Sequence, residues 1–377
     1  MTASLPAPPA PGRSLTGVLP DMLSALGGTS ARLAPARSAI AVVVDGLGRA
    51  NLTARSGHAR FLTQRMGKRD TVRTVFPSTT AAALTSLLTG EEPGAHGLVG
   101  YRVRVPGTDA TPNLLRGWET DGLDPLTFPR AEPLFARESA HGRPCFVVTK
   151  RLYEGTGFTA ATQRGAAFVG EDDLVARLAA AADVAARHDG ALVYAYVPEL
   201  DAIGHARGWQ SDEWLAALEL VDDAARAMDA ALPADVGVLV TADHGMVDVP
   251  RHRQILLGDS DPLLEGVRLI AGEPRMLHLY ADPGAEAAVA ARWREAESSR
   301  AWVLTRAEAI GAGLFGDRVD AEVLPRIGDV LVAARADVVY YDDRLADKKP
   351  QRMIGQHGSL TDQEQIVPLI RLGAFAR

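Results

Sequence analysis

The sequence holds a single cysteine, Cys145, in 377 residues, so no disulfide can form within the chain. Flanked by Pro144 and Phe146 ahead of an apolar run, that cysteine is read as core. No stretch of about 18 apolar residues occurs, which excludes a membrane-spanning helix. Basic charge is not in excess either. Against 47 Asp and Glu stand 40 Lys and Arg, a net charge of −7 with a pI near 5.8. A nucleic-acid polymer is therefore not an expected partner. The first residues, MTASLPAPPAPGRSL, lack the basic start and continuous apolar segment of a secretory signal. A cytoplasmic protein is the default expectation. Gly46-Leu47-Gly48 has no third glycine at the spacing of a dinucleotide fingerprint. There is no internal repeat.

What is present is apolar content cut into short pieces. Hydrophobic residues make up 47 % of the chain, enough for a sizeable core. Residues 1 to about 14 are expected to be disordered, and residues 15–26 to form a short helix closed by Gly27-Gly28. SAIAVVVDGLG at 38–48 is a continuous β-branched run, the pattern of a buried parallel strand, with Asp45 at its C-terminal edge. Further strands are expected at 70–76, 143–149, 191–197 and 236–245, and helices at 171–188 and 211–232. In the last of these Ser211 is the expected N-cap, with Trp214, Leu215, Leu218, Val221, Ala225 and Met228 as the buried stripe. Strands and helices alternate and polar groups gather where strands end. The expected fold is a doubly wound, mostly parallel α/β sheet with helices on both faces. After Val249 the texture changes to that of a small α+β unit. The expected organisation is an N-terminal segment at 1–37, a core at 38–247 and 346–377, and an inserted subdomain at 248–345. Near the end Thr361 and Glu364 have the spacing of a capping box.

Chemistry concentrates around 76–101, FPSTTAAALTSLLTGEEPGAHGLVGY. A Pro-Ser-Thr-Thr turn leads into a small-residue helix stopped by Gly90. A hydroxyl at a helix start sits among unpaired N–H groups, where negative charge is favoured. Thr79 or Thr80 is then either a nucleophile or a plain N-cap. Four other segments add carboxylates and imidazoles: Asp45, Asp201 with His205, Asp243 with His244, and His357. Mixed Asp and His ligands suit zinc, and also accept manganese. His96 is read as a turn-stabilising residue and His58, His141 and His188 as surface. His252 and His278, in the inserted unit, are not expected to touch metal. Arg102, Lys150, Arg151 and Tyr153 lie in segments able to face the site.

These motifs resemble the alkaline phosphatase superfamily, in its type I phosphodiesterase/nucleotide pyrophosphatase branch. VVDGLG is similar to the branch's first metal aspartate, PSTTAAALTSLLTGEEPGAHGL to its nucleophile helix, and ELDAIGH, TADHGM and GQHG to its remaining ligand motifs. The resemblance spans about 38 to 373 and includes an inserted subdomain. It selects Thr80 over Thr79, by the spacing from Pro77 and to Thr89-Gly90. It implies one zinc held by Asp201, His205 and His357, and another held by Asp45, Asp243 and His244 with Thr80. Thr80 would form a phospho-threonine intermediate while the N–H of Ala81 binds a phosphate oxygen. Tyr101 stands where the family's diesterases and phosphonoacetate hydrolases have a phosphate-binding asparagine, five residues after His96. The implied function is hydrolysis of a small phosphate ester or nucleotide. Alternatives are a phosphomonoesterase or phosphonate hydrolase with the same site, and, outside enzymes, a degenerate metal-binding regulatory protein.

Overall fold

The computed structural model describes residues 4–6 and 13–376. The expected disorder of residues 1 to 14 thus falls mostly outside the described residues. A seven-stranded sheet forms the centre. Its strands are β1 (Ser38–Val44), β2 (Thr71–Arg73), β3 (Cys145–Thr149), β4 (Ala167–Gly170), β5 (Leu192–Val197), β6 (Val236–Thr241) and a C-terminal strand, Ile366–Gly373. The order across the sheet is β2, C-terminal strand, β6, β1, β5, β3, β4. Only the C-terminal strand runs antiparallel to its neighbours. Every residue of β1, β5 and β6 is buried, which is why these strands read as unbroken apolar runs rather than alternating ones.

Helices cover both faces. The helix Leu174–Arg187 starts later than its acidic run suggests, because Asp173 takes the N-cap and accepts from Ala176 N at 2.9 Å. The helix Asp212–Ala231 is capped by Ser211, whose hydroxyl accepts from Trp214 N. Its stripe is buried except Leu215, which is half-buried. Asp222, on the same helix, is buried too, and its carboxylate caps Phe61 N and Leu62 N of a neighbouring helix at 3.0 and 2.8 Å. The N-terminal helix divides into a 3-10 turn at Leu15–Gly17 and an α-helix at Val18–Leu26.

Two elements depart from expectation. The strand expected at 70–76 stops at Arg73, because its partner strand begins at Ile366 and Thr74 N bonds instead to Gln365 O. The capping box at Thr361 does not close on the backbone. Glu364 turns inward and pairs with Arg275, Nε to Oε1 at 2.8 Å and Nη2 to Oε2 at 2.7 Å. A long-range ion pair outcompetes the local cap.

Between Val249 and the C-terminal segment lies a four-stranded antiparallel sheet in the order Ala301–Thr305, Val330–Ala334, Met276–Ala281, Val267–Glu273. The helix Glu286–Glu297 packs Val289 and Trp293 against it in a separate small core. The run Val339–Asp342 joins a different sheet, pairing with Gln254–Leu257. Arg275 ties this unit to the C-terminal segment. Besides Glu364 it donates to the carbonyls of Ala334, Ala336 and Val338, and both ionic partners are almost fully buried. Arg275→Met leaves the Glu364 carboxylate buried without its cation and should cost about 3–5 kcal/mol. Urea denaturation measures this, and a loss below about 1 kcal/mol would show the pair to be dispensable.

Candidate metal centre and catalytic site

The site is assembled where β1, β5 and β6 end, at the C-terminal edge of the sheet, where open α/β folds bind ligands. Asp45 follows β1 and Asp243-His244 follow β6. Gly46 lets β1 turn away at φ +74°, and a Cβ there would stand 3.2 Å from the Asp201 backbone. The helix Glu199–Arg207 after β5 carries Asp201 and His205 one turn apart on one face. His357 follows a two-residue strand, Gly355–Gln356, that pairs with Val247–Asp248. Thr80 opens the helix Thr80–Thr89, which ends on Gly90 in the left-handed region. Thr79 is the N-cap residue, but its hydroxyl caps nothing. Its neighbour's hydroxyl points into the site instead, with Thr80 Oγ1 3.1 Å from His244 Nε2.

The three imidazoles are oriented alike. Each Nδ1 meets a backbone carbonyl: His205 with Gly355 O at 2.7 Å, His357 with Ser78 O at 3.0 Å, His244 with Gly245 O at 3.2 Å. A carbonyl only accepts, so each Nδ1 carries a proton and each ring turns its Nε2 into the site. The Nε2 atoms of His205 and His357 face each other at 3.3 Å, and Asp201 Oδ1 lies 3.4 and 3.8 Å from them. The circle through these three atoms has a radius of about 2 Å, the length of a zinc–nitrogen bond. On the other side His244 Nε2 lies 3.4 Å from Asp45 Oδ1 and 3.5 Å from Asp243 Oδ2. The His244 and His357 rings stack at 3.5 Å, so the two clusters adjoin. Ligand atoms of Asp45, Asp243 and His244, and likewise of Asp201, His244 and His357, lie within 4.8 Å of one another.

Asp45 Oδ1, Asp201 Oδ1 and Asp243 Oδ2 are buried and have no hydrogen-bond partner. Burial pushes the carboxyl of Asp45 well up from its ordinary range, and the charges of Asp201 and Asp243 add to it. Burial likewise raises Asp243. His357 is driven down by burial and then by His244 and His205. Orphaned carboxyl oxygens beside inward-turned imidazole Nε2 atoms, with no cationic side chain among the described residues between them, make a donor set that divalent metal ions fit.

Among the other residues singled out in the sequence, Tyr101 is half-buried. Its hydroxyl accepts from Asn113 Nδ2 at 2.5 Å, and its N–H donates to Glu273 Oε2. Ala81 N–H lies in the first turn of its helix, where no side chain among the described residues caps it. Lys150 pairs with Glu199 and Arg151 with Asp172, while Arg102 donates to Thr111 O. Tyr153 does lie beside the site, its ring 5.9 Å from that of Tyr196. His96 is buried between Ser86 Oγ and Leu98 N, and His278 between Val99 O and Gly328 N. Neither belongs to the metal-type clusters.

Two residues escaped the sequence reading. Tyr196 donates its hydroxyl to Asp45 Oδ2 and so holds that carboxylate in place. It sits inside an apolar strand, where a tyrosine reads as packing, and nothing in the sequence sets it apart from Tyr194. Glu273 reaches from the inserted unit to the backbone of Tyr101, packed against Gly358 beside His357.

Residues 39–360 match the family described as type I phosphodiesterase / nucleotide pyrophosphatase. The chain belongs to this family. It is an enzyme of that general type, a phosphoric ester hydrolase with a candidate metal-binding active site. Murine ectonucleotide pyrophosphatase / phosphodiesterase 5 superposes with a TM-score of 0.69 at 18 % identity, covering 89 % of this chain and 88 % of that one. The same murine protein, as an inactive variant in complex with AMP, gives 0.68 at 18 % identity over 90 % and 88 %. Phosphonoacetate hydrolase from Sinorhizobium meliloti, in complex with phosphonoformate, gives 0.69 at 21 % identity over 90 % and 91 %. At these identities the likeness is one of fold. No curated protein sequence matches the chain.

The electrostatics set two pH dependences. Protons compete with metal for Asp45 and Asp243, whose carboxyls hold them unusually well, so zinc affinity should fall as pH drops and binding should release protons. Zinc titration of chelated protein in two buffers of different ionisation enthalpy reads that release, and no proton release would contradict the ligand assignment. Glu273 is pushed up from 4.5 to about 8, chiefly by burial. Its folded pKa exceeds the unfolded value, so its contribution to stability is complete below about pH 4.5. That contribution declines as pH rises through about 8, by at most about 1.4 kcal/mol per unit. Glu273→Gln should lack this decline. Denaturation midpoints of both proteins between pH 5 and pH 8 should therefore diverge, and parallel curves would refute it.

Proposed function

We propose that the protein is a zinc-dependent phosphodiesterase of the nucleotide pyrophosphatase type, with Thr80 as its nucleophile. One observation carries the reading: a helix-tip hydroxyl lies 3.1 Å from His244 Nε2, beside buried carboxylate oxygens that lack partners. Mixed imidazole and carboxylate donors favour zinc over harder cations. Asp201, His205 and His357 would hold one ion; Asp45, Asp243 and His244 would hold the other. When bound, the pair supplies Lewis acidity, lowering the pKa of a hydroxyl it touches and neutralising charge on a phosphoryl group.

The chain's own residues do the rest. The Ala81 N–H and the positive end of its helix bind a non-bridging phosphate oxygen. Thr80 gives up its hydroxyl proton to solvent, and its oxygen attacks phosphorus opposite the leaving group, whose oxygen departs with a proton taken from water. The Thr80 Oγ–P bond forms and the bond to the leaving alcohol or nucleotide breaks, giving a phospho-threonine. Water then cleaves that ester, releases the phosphate product and restores Thr80. Tyr196 keeps Asp45 fixed throughout. A nucleotide substrate is supported by the murine relative in complex with AMP. The similar phosphonoacetate hydrolase supports a second reading, a phosphonate hydrolase on the same residues.

Turnover of a chromogenic diester, the corresponding monoester and phosphonoacetate by the metal-loaded protein separates these readings; the diester should be hydrolysed fastest. Metal analysis should approach two equivalents. Thr80→Ala should lower kcat by about 10³-fold or more, roughly 4 kcal/mol of barrier, without loss of metal. Thr80→Ser should retain part of the activity, and Thr79→Ala should change kcat by less than about tenfold. A near-wild-type Thr80→Ala would exclude the covalent route.

A further inference from the structure

A second charged cavity lies away from the metal centre. It measures about 280 Å³ and sits between the N-terminal helix Val18–Leu26 and the β2 side of the main sheet, with Val72, Leu239 and Leu369 in its wall. None of the metal-type ligands lines it. Arg13, Arg32, Arg69 and Arg371 do, with Asp21 as the one acid. Asp21 is engaged by Arg32 at 3.0 Å. Arg371 reaches Asp70 only at 3.6 Å, and its Nε is buried without an acceptor. Arg13 and Arg69 have no ion-pair partner among the described residues. Four guanidinium groups against two carboxylates leave an excess of two positive charges here, in a chain whose net charge is −7.

The backbone that carries these arginines is fixed. Arg13 O accepts from Arg73 N at 2.8 Å, and Arg371 sits in a paired strand opposite Leu239. Arg69 lies in a turn closed by Gly67 N donating to Asp70 Oδ2 at 2.8 Å. Folding therefore gathers like charges around a space whose lining, among the described residues, offers Asp21 as its one carboxylate, already paired with Arg32. Guanidinium forks match the paired oxygens of phosphate, and a dianion balances the local excess.

We propose that this cavity binds the phosphate group of a small molecule, as a second anion site separate from the catalytic one. The test is calorimetric titration of metal-loaded protein with inorganic phosphate, comparing wild type with Arg13→Gln/Arg69→Gln. Both residues are exposed, so the double variant should fold. Wild type should show two binding events. The variant should lose one, or bind at least tenfold more weakly in it, while its hydrolysis of a chromogenic diester is unchanged. AMP tells free phosphate from a nucleotide: tighter binding than phosphate at the lost site assigns the nucleotide, equal binding the phosphate group alone. Identical isotherms for wild type and variant would overturn the proposal. So would displacement of phosphate from this site by acetate at equal concentration, which would reduce it to unspecific charge.

Discussion

Three aspartates from three separate elements converge with their outward oxygens buried and unpartnered. The imidazoles opposite offer them no proton, because each turns its Nδ1–H to a backbone carbonyl, of Gly355, Ser78 or Gly245. Repulsion among the carboxylates and between lone pairs makes this arrangement costly on its own terms. The surrounding sheet supplies the rigidity that keeps the groups together. Fully buried strands place Asp45 and Asp243 at fixed heights, and a fixed backbone cannot relax the strain by moving apart. The fold is stable where it is apolar and stores an electrostatic deficit where it is polar, and cations are the natural remedy.

The residues that meet in this site were legible because each follows a glycine turn or the end of an apolar strand. A charged group in such a place can simply cap the next turn, but several of them in separate segments point to one shared site. The parallel sheet was legible for the same reason, since strands buried on both faces carry no alternation to confuse them. What was hidden depended on distant partners. Glu364 had a plausible local role three residues from Thr361, and only the folded chain brings Arg275 to it. The 70–76 segment had strand composition throughout, but pairing ends where its partner does. Tyr196 is indistinguishable in sequence from Tyr194 two residues earlier, and only its contact with Asp45 separates them.

The inserted unit takes part in the site through its backbone contacts. Glu273 holds the N–H of Tyr101, and His278 accepts from Gly328 N while meeting Val99 O, so the segment after the helix Thr80–Thr89 rests on the insertion. Arg275 binds the segment that follows His357. The insertion thus buttresses both flanks of the cleft.

The antiparallel C-terminal strand has a consequence in time. It lies between β2 and β6, so β2 joins the sheet only through residues more than 290 positions further along the chain. A ribosome-bound nascent chain can assemble β6, β1, β5 and β3 early, and with them Asp45, Asp201, His205, Asp243 and His244. It still lacks His357 and leaves the edge of β6 open. Completion of the candidate metal centre and closure of that edge therefore both wait for the segment that carries His357 and the strand Ile366–Gly373. Until then the unpaired β6 edge is the place where a nascent chain is most exposed to wrong pairing.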